Sequence, residues 1–439
     1  MKDQDLCKDI EEEIVKCSRC GNCRTICPVF LAENNENTTP RSKARMMEAV
    51  LEGELELTPG IQARFEKCLM CMACKTNCSS HVKTNDLFLQ ARSKLVKKNG
   101  LNIIKKSAFL GLRFRKLFDL GLRTGALFQN LMFKELPDGR GRVARIPIPA
   151  SGLNLRRVIP NLTTNPLRSK LPTINKSQKP VSKGRVLFFT GCTLNYFYPQ
   201  AGESVVSVLT RNGYDVIIPE DQCCCGTPAF INGDTESARI LAEQNIKAFQ
   251  EYNCDYIITA CSSCGSALQK EYKHVLQDSP LIDRWKEISA KVQDISEFVV
   301  NYCDMDKFGH LPLEITYHDA CHLVRGMNVS AQPRQIFKAI PGLKFVEMKD
   351  ADRCCGAGGT FSAVHYELSR KINDKKIDNI EATEMKNVVV GCSLCRMHIN
   401  DGLEKRNSSV QVLHTAEIID MAYATGEKEE QHVKVVNNK

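Results

Sequence analysis

Cys17-x2-Cys20-x2-Cys23-x3-Cys27-Pro28 and Cys68-x2-Cys71-x2-Cys74-x3-Cys78 set eight thiols in two runs of one spacing. Three thiolates at that spacing can wrap one cluster corner by corner. The fourth points away and needs a second loop to close the cage. Such a set suits an iron–sulfur cluster, a one-electron carrier. Zinc competes, but it favours two separate Cys-x2-Cys pairs making one tetrahedron. Ser79 stands where the first run has Pro28, a departure that touches no thiol. Cys7 lies outside both runs and reads as a bystander.

A second cysteine pattern occurs twice in the C-terminal half. Cys192, Cys224-Cys225-Gly226 and Cys261-x2-Cys264 recur as Cys321, Cys354-Cys355-Gly356 and Cys392-x2-Cys395, offset by 129 to 131 residues. The surroundings repeat too, RVLFFTGC with EITYHDAC and DYIITACSSC with NVVVGCSLC. Five thiols per set are one more than tetrahedral zinc or a simple cubane needs. Cys223 makes a triple cysteine that leaves the pair open by one register, and aligning Gly226 with Gly356 favours Cys224 and Cys225. His318 and His322 flank Cys321, either as proton or hydrogen-bond donors to a bound cluster or as ordinary turn and cap histidines. Cys254 and Cys303 have no repeat partner and read as packing residues.

Positioning these thiols requires regular elements. The apolar runs before the lone cysteine and before the Cys-x2-Cys pair read as strands. Residues 201–212, 237–252, 332–340 and 361–383 read as helices. That alternation predicts parallel sheets with the cysteines in loops at strand carboxyl ends. Gly226 and Gly356 would allow a tight turn beside the tandem pair. Nearer the N-terminus, Met46, Met47, Val50 and Leu51 are spaced for a helix over 40–53, and 86–96 reads as another. The expected fold class is α+β and multidomain. An α-helical cluster domain spans 1–100 and a connector 101–183. Two α/β domains with parallel sheets follow over 184–307 and 308–430, then a tail over 431–439.

Charge gathers in the connector. Between Gly100 and Arg185 stand 18 Lys/Arg against 3 Asp/Glu, which more than accounts for the chain's formal +9. Lys105, Lys106, Arg113, Arg115, Lys116 and Arg123 interleave with Leu and Phe over 101–133, and Phe114, Leu117, Gly121 and Phe128 share one helical face. Such a helix either lies on an anionic membrane surface or packs as a scaffold with a solvated basic side. No nucleic-acid-binding motif accompanies the charge, so no nucleic acid partner is expected. Residues 137–180, rich in Pro, Ser, Asn and Arg, read as an extended strap. Hydrophobic content of 43% and charged content of 25% are those of a globular protein. A polar N-terminus without an apolar signal segment, and no run of about 18 apolar residues, point to a reducing cytoplasmic compartment. A peripheral place on the inner face of the membrane is the extension of that reading.

The first run resembles the two-cluster bacterial ferredoxins, in which the fourth cysteine of each run ligates the other cluster. That resemblance assigns Cys17, Cys20, Cys23 and Cys78 to one [4Fe–4S] cubane, and Cys68, Cys71, Cys74 and Cys27 to a second. The helical setting resembles the iron–sulfur subunits of heterodisulfide reductase and succinate dehydrogenase. YHDACHLVRG, PRQIF, IPGLKFVEM and CCGAGG resemble the CCG domain of heterodisulfide reductases, glycolate oxidase iron–sulfur subunits and anaerobic glycerol-3-phosphate dehydrogenase. This implies a noncubane [4Fe–4S] cluster on Cys192, Cys224, Cys225, Cys261 and Cys264, and another on Cys321, Cys354, Cys355, Cys392 and Cys395. Some members are expected to carry zinc or a cubane at one copy.

The order of modules most resembles the glycolate oxidase iron–sulfur subunit. It implies an electron-transfer subunit fed by an FAD-containing partner that oxidises glycolate or lactate, with a quinone or other acceptor downstream. No G-x-G-x-x-G, Walker loop or flavin pattern follows a strand, so no flavin is expected in this chain and substrate oxidation falls to the partner. The heterodisulfide reductase D subunit supplies the alternative, a disulfide reduced at a noncubane cluster.

Overall fold

The computed structural model describes residues 10–137, 140–145 and 157–437, so Cys7 lies outside the described residues. The N-terminal part is helical. Pro40–Leu51 starts where Thr39 accepts from the Ser42 N–H, and Pro59–Glu66 where Thr58 accepts from the Ile61 N–H, each with proline in the first turn. Together with Thr84–Asn99 they bury Met47, Phe65, Leu87 and Leu95. Phe65 and Phe88 meet edge to face at 5.8 Å.

The connector forms two helices, Ile103–Arg113 and Arg115–Met132, and a hairpin of β1 (Phe133–Glu135) with β2 (Arg142–Ala144). Several of its cations pair with acidic groups of the body, Arg113 with Glu236 at 3.1 Å, Arg115 with Asp221 at 3.4 Å and Lys105 with Glu66 at 3.2 Å. The strap beyond the hairpin is anchored at both ends. The Val158 N–H donates to Asp401 at 2.7 Å, and Leu167 is fully buried. Further on, β3 (Ile174–Asn175) joins the first sheet as an antiparallel edge.

The strands of the first repeat are β4 (Gly184–Phe189), β5 (Tyr214–Ile217), β6 (Tyr256–Thr259) and β7 (Val292–Asp294), in the order β3-β5-β4-β6-β7. Those of the second are β8 (Glu314–His318), β9 (Lys344–Phe345), β10 (Asn387–Val390) and β11 (Gln411–His414), ordered β11-β10-β8-β9. Apart from the β3 edge all pairings are parallel. The two sheets have one topology, because β4, β5, β6 and β7 stand to each other as β8, β9, β10 and β11 do. The strand order reverses between β4 and β6 and between β8 and β10, which opens a crevice at the carboxyl ends there.

Helices Pro199–Arg211, Thr235–Gln250, Ala331–Ala339 and Ser393–Lys405 flank the sheets. The span 361–383, expected as one helix, is two: Phe361–Val364 and Tyr366–Glu381. The final helix, Thr415–Asn437, packs on Pro199–Arg211 of the other repeat. One core runs through Phe188, Val205, Ile258 and Phe298 of the first repeat into Tyr317, Ile336, Val389 and Ile419 of the second. A second core links the N-terminal helices to both repeats.

Candidate functional site

Each ferredoxin-like run folds around its cysteines through left-handed residues. Arg19 and Gly21 in the first loop, and Met70 and Met72 at the matching places of the second, have φ between 55° and 86°. Placing three non-glycine residues there costs on the order of 1 kcal/mol each. Turns of this type gather successive backbone N–H groups into concavities that suit an anionic metal–sulfur group.

Cys27 joins Cys68, Cys71 and Cys74 around one enclosed space also bordered by Lys43 and Thr84. The fourth cysteine of the first run thus faces the second run's thiols. Burial pushes the Cys27 thiol up to about 11. The Cys74 sulfur lies 3.0 Å from the Thr84 hydroxyl. On the other side, the Asn77 amide donates to the Asn22 carbonyl at 3.1 Å, and Ser80 to Ser18 at 3.1 Å. Those contacts hold the Cys78 segment against the loop carrying Cys17, Cys20 and Cys23. A backbone N–H from Asn22 lowers the pKa of exposed Cys20.

Two cations that sequence reasoning missed flank the Cys27–Cys74 space. Lys43 is buried and donates to the carbonyls of Thr38 and Lys67. Arg92, also buried, donates to the carbonyls of Phe65 at 2.6 Å, Cys68 at 2.8 Å and Ile231. Among the described residues neither has a carboxylate within ion-pair distance. Carbonyl dipoles alone compensate a buried charge poorly, so an anionic group in that space is the natural complement.

All ten repeat cysteines line a single cavity of about 100 Å³, bounded on one side by Leu69 of the ferredoxin-like unit. They reach it from the loops after β4, β5, β6 and β8, β9, β10, at the crevice where each strand order reverses. Gly226 (φ 81°) and Gly356 (φ 92°) turn the chain sharply after each tandem pair; an added Cβ at Gly356 would sit 2.7 Å from the Ser369 carbonyl oxygen. Cys223 turns its sulfur to the carbonyls of Cys224 and Leu241 and does not line the cavity. Cys254 packs in the core that links the N-terminal helices to the repeats and Cys303 at the edge of the other core, both away from the cavity.

The ten sulfurs crowd one another inside this cavity. Neighbouring thiols hold Cys225, Cys355 and Cys392 well below the usual thiol range, the neighbours being Cys224, Cys354 and Cys261. Cys224, Cys264 and Cys395 are held well above it by Cys192, Cys225 and Cys355. Across the repeats the Ser262 N–H donates to the Gly391 carbonyl at 3.2 Å, and the Ser263 hydroxyl lies 3.9 Å from the Cys392 sulfur. Cys71 of the ferredoxin-like unit and Cys354 belong to one buried cluster. Crowded, dry thiols with few cations between them suit a metal that takes them as thiolates. The donor set therefore fits iron–sulfur occupancy.

His318 is fully buried at the end of β8, and burial pushes its pKa down to about 3. One ring nitrogen lies within 4.8 Å of the Cys355 and Cys395 sulfurs. His322 places Nδ1 3.9 Å from the Cys321 sulfur and Nε2 3.8 Å from Glu271. Both histidines thus face the site.

Comparison with known proteins agrees with this architecture. The 4Fe-4S dicluster domain family matches residues 13–82, and the Cysteine-rich domain family matches 186–269 and 315–400. The probable glycolate oxidase iron-sulfur subunit of Bacillus subtilis is 32% identical over 93% of this chain and 94% of its own length. Lactate utilization protein A 1 of Bacillus anthracis is 34% identical over 54% of this chain and 97% of its own length. A subunit of the CoM/CoB fumarate reductase of Methanothermobacter marburgensis is 37% identical over 55% of this chain, which spans 47% of that protein. Among solved structures, a hypothetical protein from Helicobacter pylori superposes with a TM-score of 0.51, covering 91% of this chain and 71% of its own. At 10% identity that likeness speaks to the fold alone.

Proposed function

The chain belongs to the family of glycolate oxidase iron–sulfur subunits, and from that premise we propose that it relays electrons from a flavoprotein that oxidises glycolate or lactate. As an iron–sulfur oxidoreductase subunit it carries a dicluster domain and two cysteine-rich domains. The observation that carries the relay reading is that all ten repeat cysteines line one cavity bordered by Leu69 of the ferredoxin-like unit, whose Cys71 packs in one buried cluster with Cys354. When bound, each cluster takes up and releases one electron at a time.

In this reading Cys17, Cys20, Cys23 and Cys78 hold one [4Fe–4S] cubane, and Cys27, Cys68, Cys71 and Cys74 a second. Cys192, Cys224, Cys225, Cys261 and Cys264 hold one noncubane cluster, and Cys321, Cys354, Cys355, Cys392 and Cys395 another. Ten of the fourteen thiols at the last three sites are buried, and Lys43 and Arg92 offset negative charge at the second cubane. The FAD belongs to the partner subunit.

The acceptor side of the proposal is a quinone at a membrane surface. Among the described residues no helix is long and apolar enough to cross a membrane. Arg115–Met132 instead turns Leu117, Leu120, Leu127, Phe128 and Leu131 outward, each more than 60% exposed, with Lys116 and Arg123 along one flank. That is the composition of a helix lying in the plane of an anionic interface. Its inner face rests near the first repeat's site, Phe118 meeting Tyr196 at 5.9 Å and Asp119 pairing with Arg168 at 3.6 Å.

A second reading has its own support. Both five-cysteine sets open into one cavity, which could admit a disulfide between them. One assay separates the two. Alone, the anaerobically reconstituted chain should leave glycolate and lactate untouched, and with its flavoprotein it should pass their electrons to a quinone analogue. Useful reduction of a disulfide by the isolated chain with an artificial donor would replace the relay by the reductase.

A further inference from the structure

The two cysteine-rich repeats differ at one buried position that bears on metal chemistry. Three residues before the lone cysteine, the first repeat has Phe189 and the second has His318. The His318 ring is closed off from solvent at the end of β8. Its Nδ1 lies 3.2 Å from the carbonyl oxygen of Ala351. A carbonyl oxygen only accepts, so Nδ1 carries the proton and the neutral ring presents a lone pair at Nε2. The carbonyl is itself fixed, accepting from the Asp319 N–H at 3.1 Å and from Lys376 Nζ at 3.1 Å. Among the described residues Nε2 has no hydrogen-bond partner. Leaving a buried acceptor unsatisfied is unfavourable, and a bound partner would remove that cost. The ring shares its surroundings with the sulfurs of Cys355 and Cys395, all three ligand atoms lying within 4.8 Å of one another.

We propose that His318 Nε2 is a ligand to the metal held at the second repeat, beside Cys355 and Cys395. The inference rests on the reading that this site holds metal. It makes the second site a mixed nitrogen–sulfur set and the first an all-sulfur set, since Phe189 offers no donor. Iron and zinc both take imidazole, so the assignment holds for either. The carbonyl of Ala351 acts as the outer partner that fixes the tautomer, as backbone carbonyls do for metal-bound histidines. With a neutral ligand added to the thiolates, the second site gains a donor without gaining negative charge.

The test uses the full-length protein purified anaerobically, with His318→Phe, which installs the residue of the first repeat, and His318→Gln as a second, polar replacement. Pulsed EPR of an iron-loaded second site should show a directly bound ¹⁴N in the wild type, lost in both variants. Iron content and the signals of the ferredoxin-like unit should stay unchanged and so report intact folding. If the second site holds zinc, X-ray absorption should show a nitrogen neighbour at about 2.0–2.1 Å that the variants lose. A metal-loaded second site without bound nitrogen, or one whose nitrogen coupling survives in His318→Phe, overturns the assignment and leaves the relay reading standing. A second repeat that takes up no metal overturns both, and iron and zinc analysis shows that directly.

Discussion

The buried thiols of Cys71 and Cys354 pack in one cluster, joining the helical N-terminal unit to the second repeat. This sets the second repeat's centre beside the ferredoxin-like unit, while the first repeat's site meets the second across the shared cavity. In the fully reduced protein, the cluster on Cys27, Cys68, Cys71 and Cys74 should couple magnetically to the second repeat's centre more strongly than to the first's. Spin-coupling measurements on Cys354→Ser and Cys224→Ser variants check this; a larger loss of coupling in Cys224→Ser would reverse the order.

Crossed ligation makes a prediction of its own. Cys27→Ser and Cys68→Ser should disturb the same spectroscopic centre, and Cys23→Ser and Cys78→Ser the other. Redox titration followed by EPR distinguishes the pairs. Cys27→Ser altering the centre of its own run would return the ligands to their sequence neighbours.

Lys43 is buried with only carbonyl partners beside that second set of thiols. Replacing it with methionine should lower the midpoint potential of that centre by tens of millivolts, the order expected for one charge at moderate effective dielectric. Lys43→Arg should restore most of the loss. An unchanged potential in Lys43→Met would leave the lysine a purely structural role.

Leu117→Asp with Leu127→Asp changes two exposed side chains and should spare the fold. The double variant should lose vesicle partitioning by at least about a hundredfold, since two Leu contributions to burial disappear and two charges must be desolvated. Flotation with phosphatidylcholine vesicles, with and without phosphatidylglycerol, provides the measurement. Binding of the wild type should need the anionic lipid and weaken with salt.

Two buried histidines set an acid limit. His398, bonded to the Ser369 hydroxyl at 2.8 Å, and His414, accepting the Ala416 N–H at 3.2 Å, have pKa values pushed down to about 4 by burial. In the unfolded chain they titrate near 6.5. Their folded pKa is depressed, so the stability is present above about pH 6.5 and is lost as pH falls toward 4. Each contributes roughly 3 kcal/mol over that window. Urea unfolding between pH 7 and pH 4.5 should show a steeper fall in the wild type than in His398→Gln.

Much of this arrangement was legible in the sequence, for physical reasons. Thiols that meet on one metal must be spaced by the loops that carry them, so the cysteine pattern and its repeat survive in one dimension. Short apolar runs before Cys192, Cys261, Cys321 and Cys392 marked strands because buried parallel strands are apolar on both faces. What failed to show were contacts without a local pattern. Lys43 and Arg92 look like ordinary surface cations, and only the fold buries them. Nothing in the strap announced that Val158 would reach Asp401 or that Ile174 would extend a sheet. The break at His365 left no proline or glycine to read; it falls beside Tyr366, whose hydroxyl donates to Asp401 at 2.9 Å. The outward face of Arg115–Met132 was visible as a periodicity, but whether it faced the body or the solvent was a question of packing.

Cys261 and Cys392 occupy the same place in their repeats, and their loops meet, the Ser262 N–H donating to the Gly391 carbonyl at 3.2 Å. A junction between equivalent segments is the signature of an isologous surface, one that matches itself under a half-turn. A shorter chain holding a single repeat would carry everything needed to build this junction with a second copy of itself. Gene fusion would then have joined two partners already paired. It would also have freed each half to change alone, so that one could keep a phenylalanine where the other acquired a histidine.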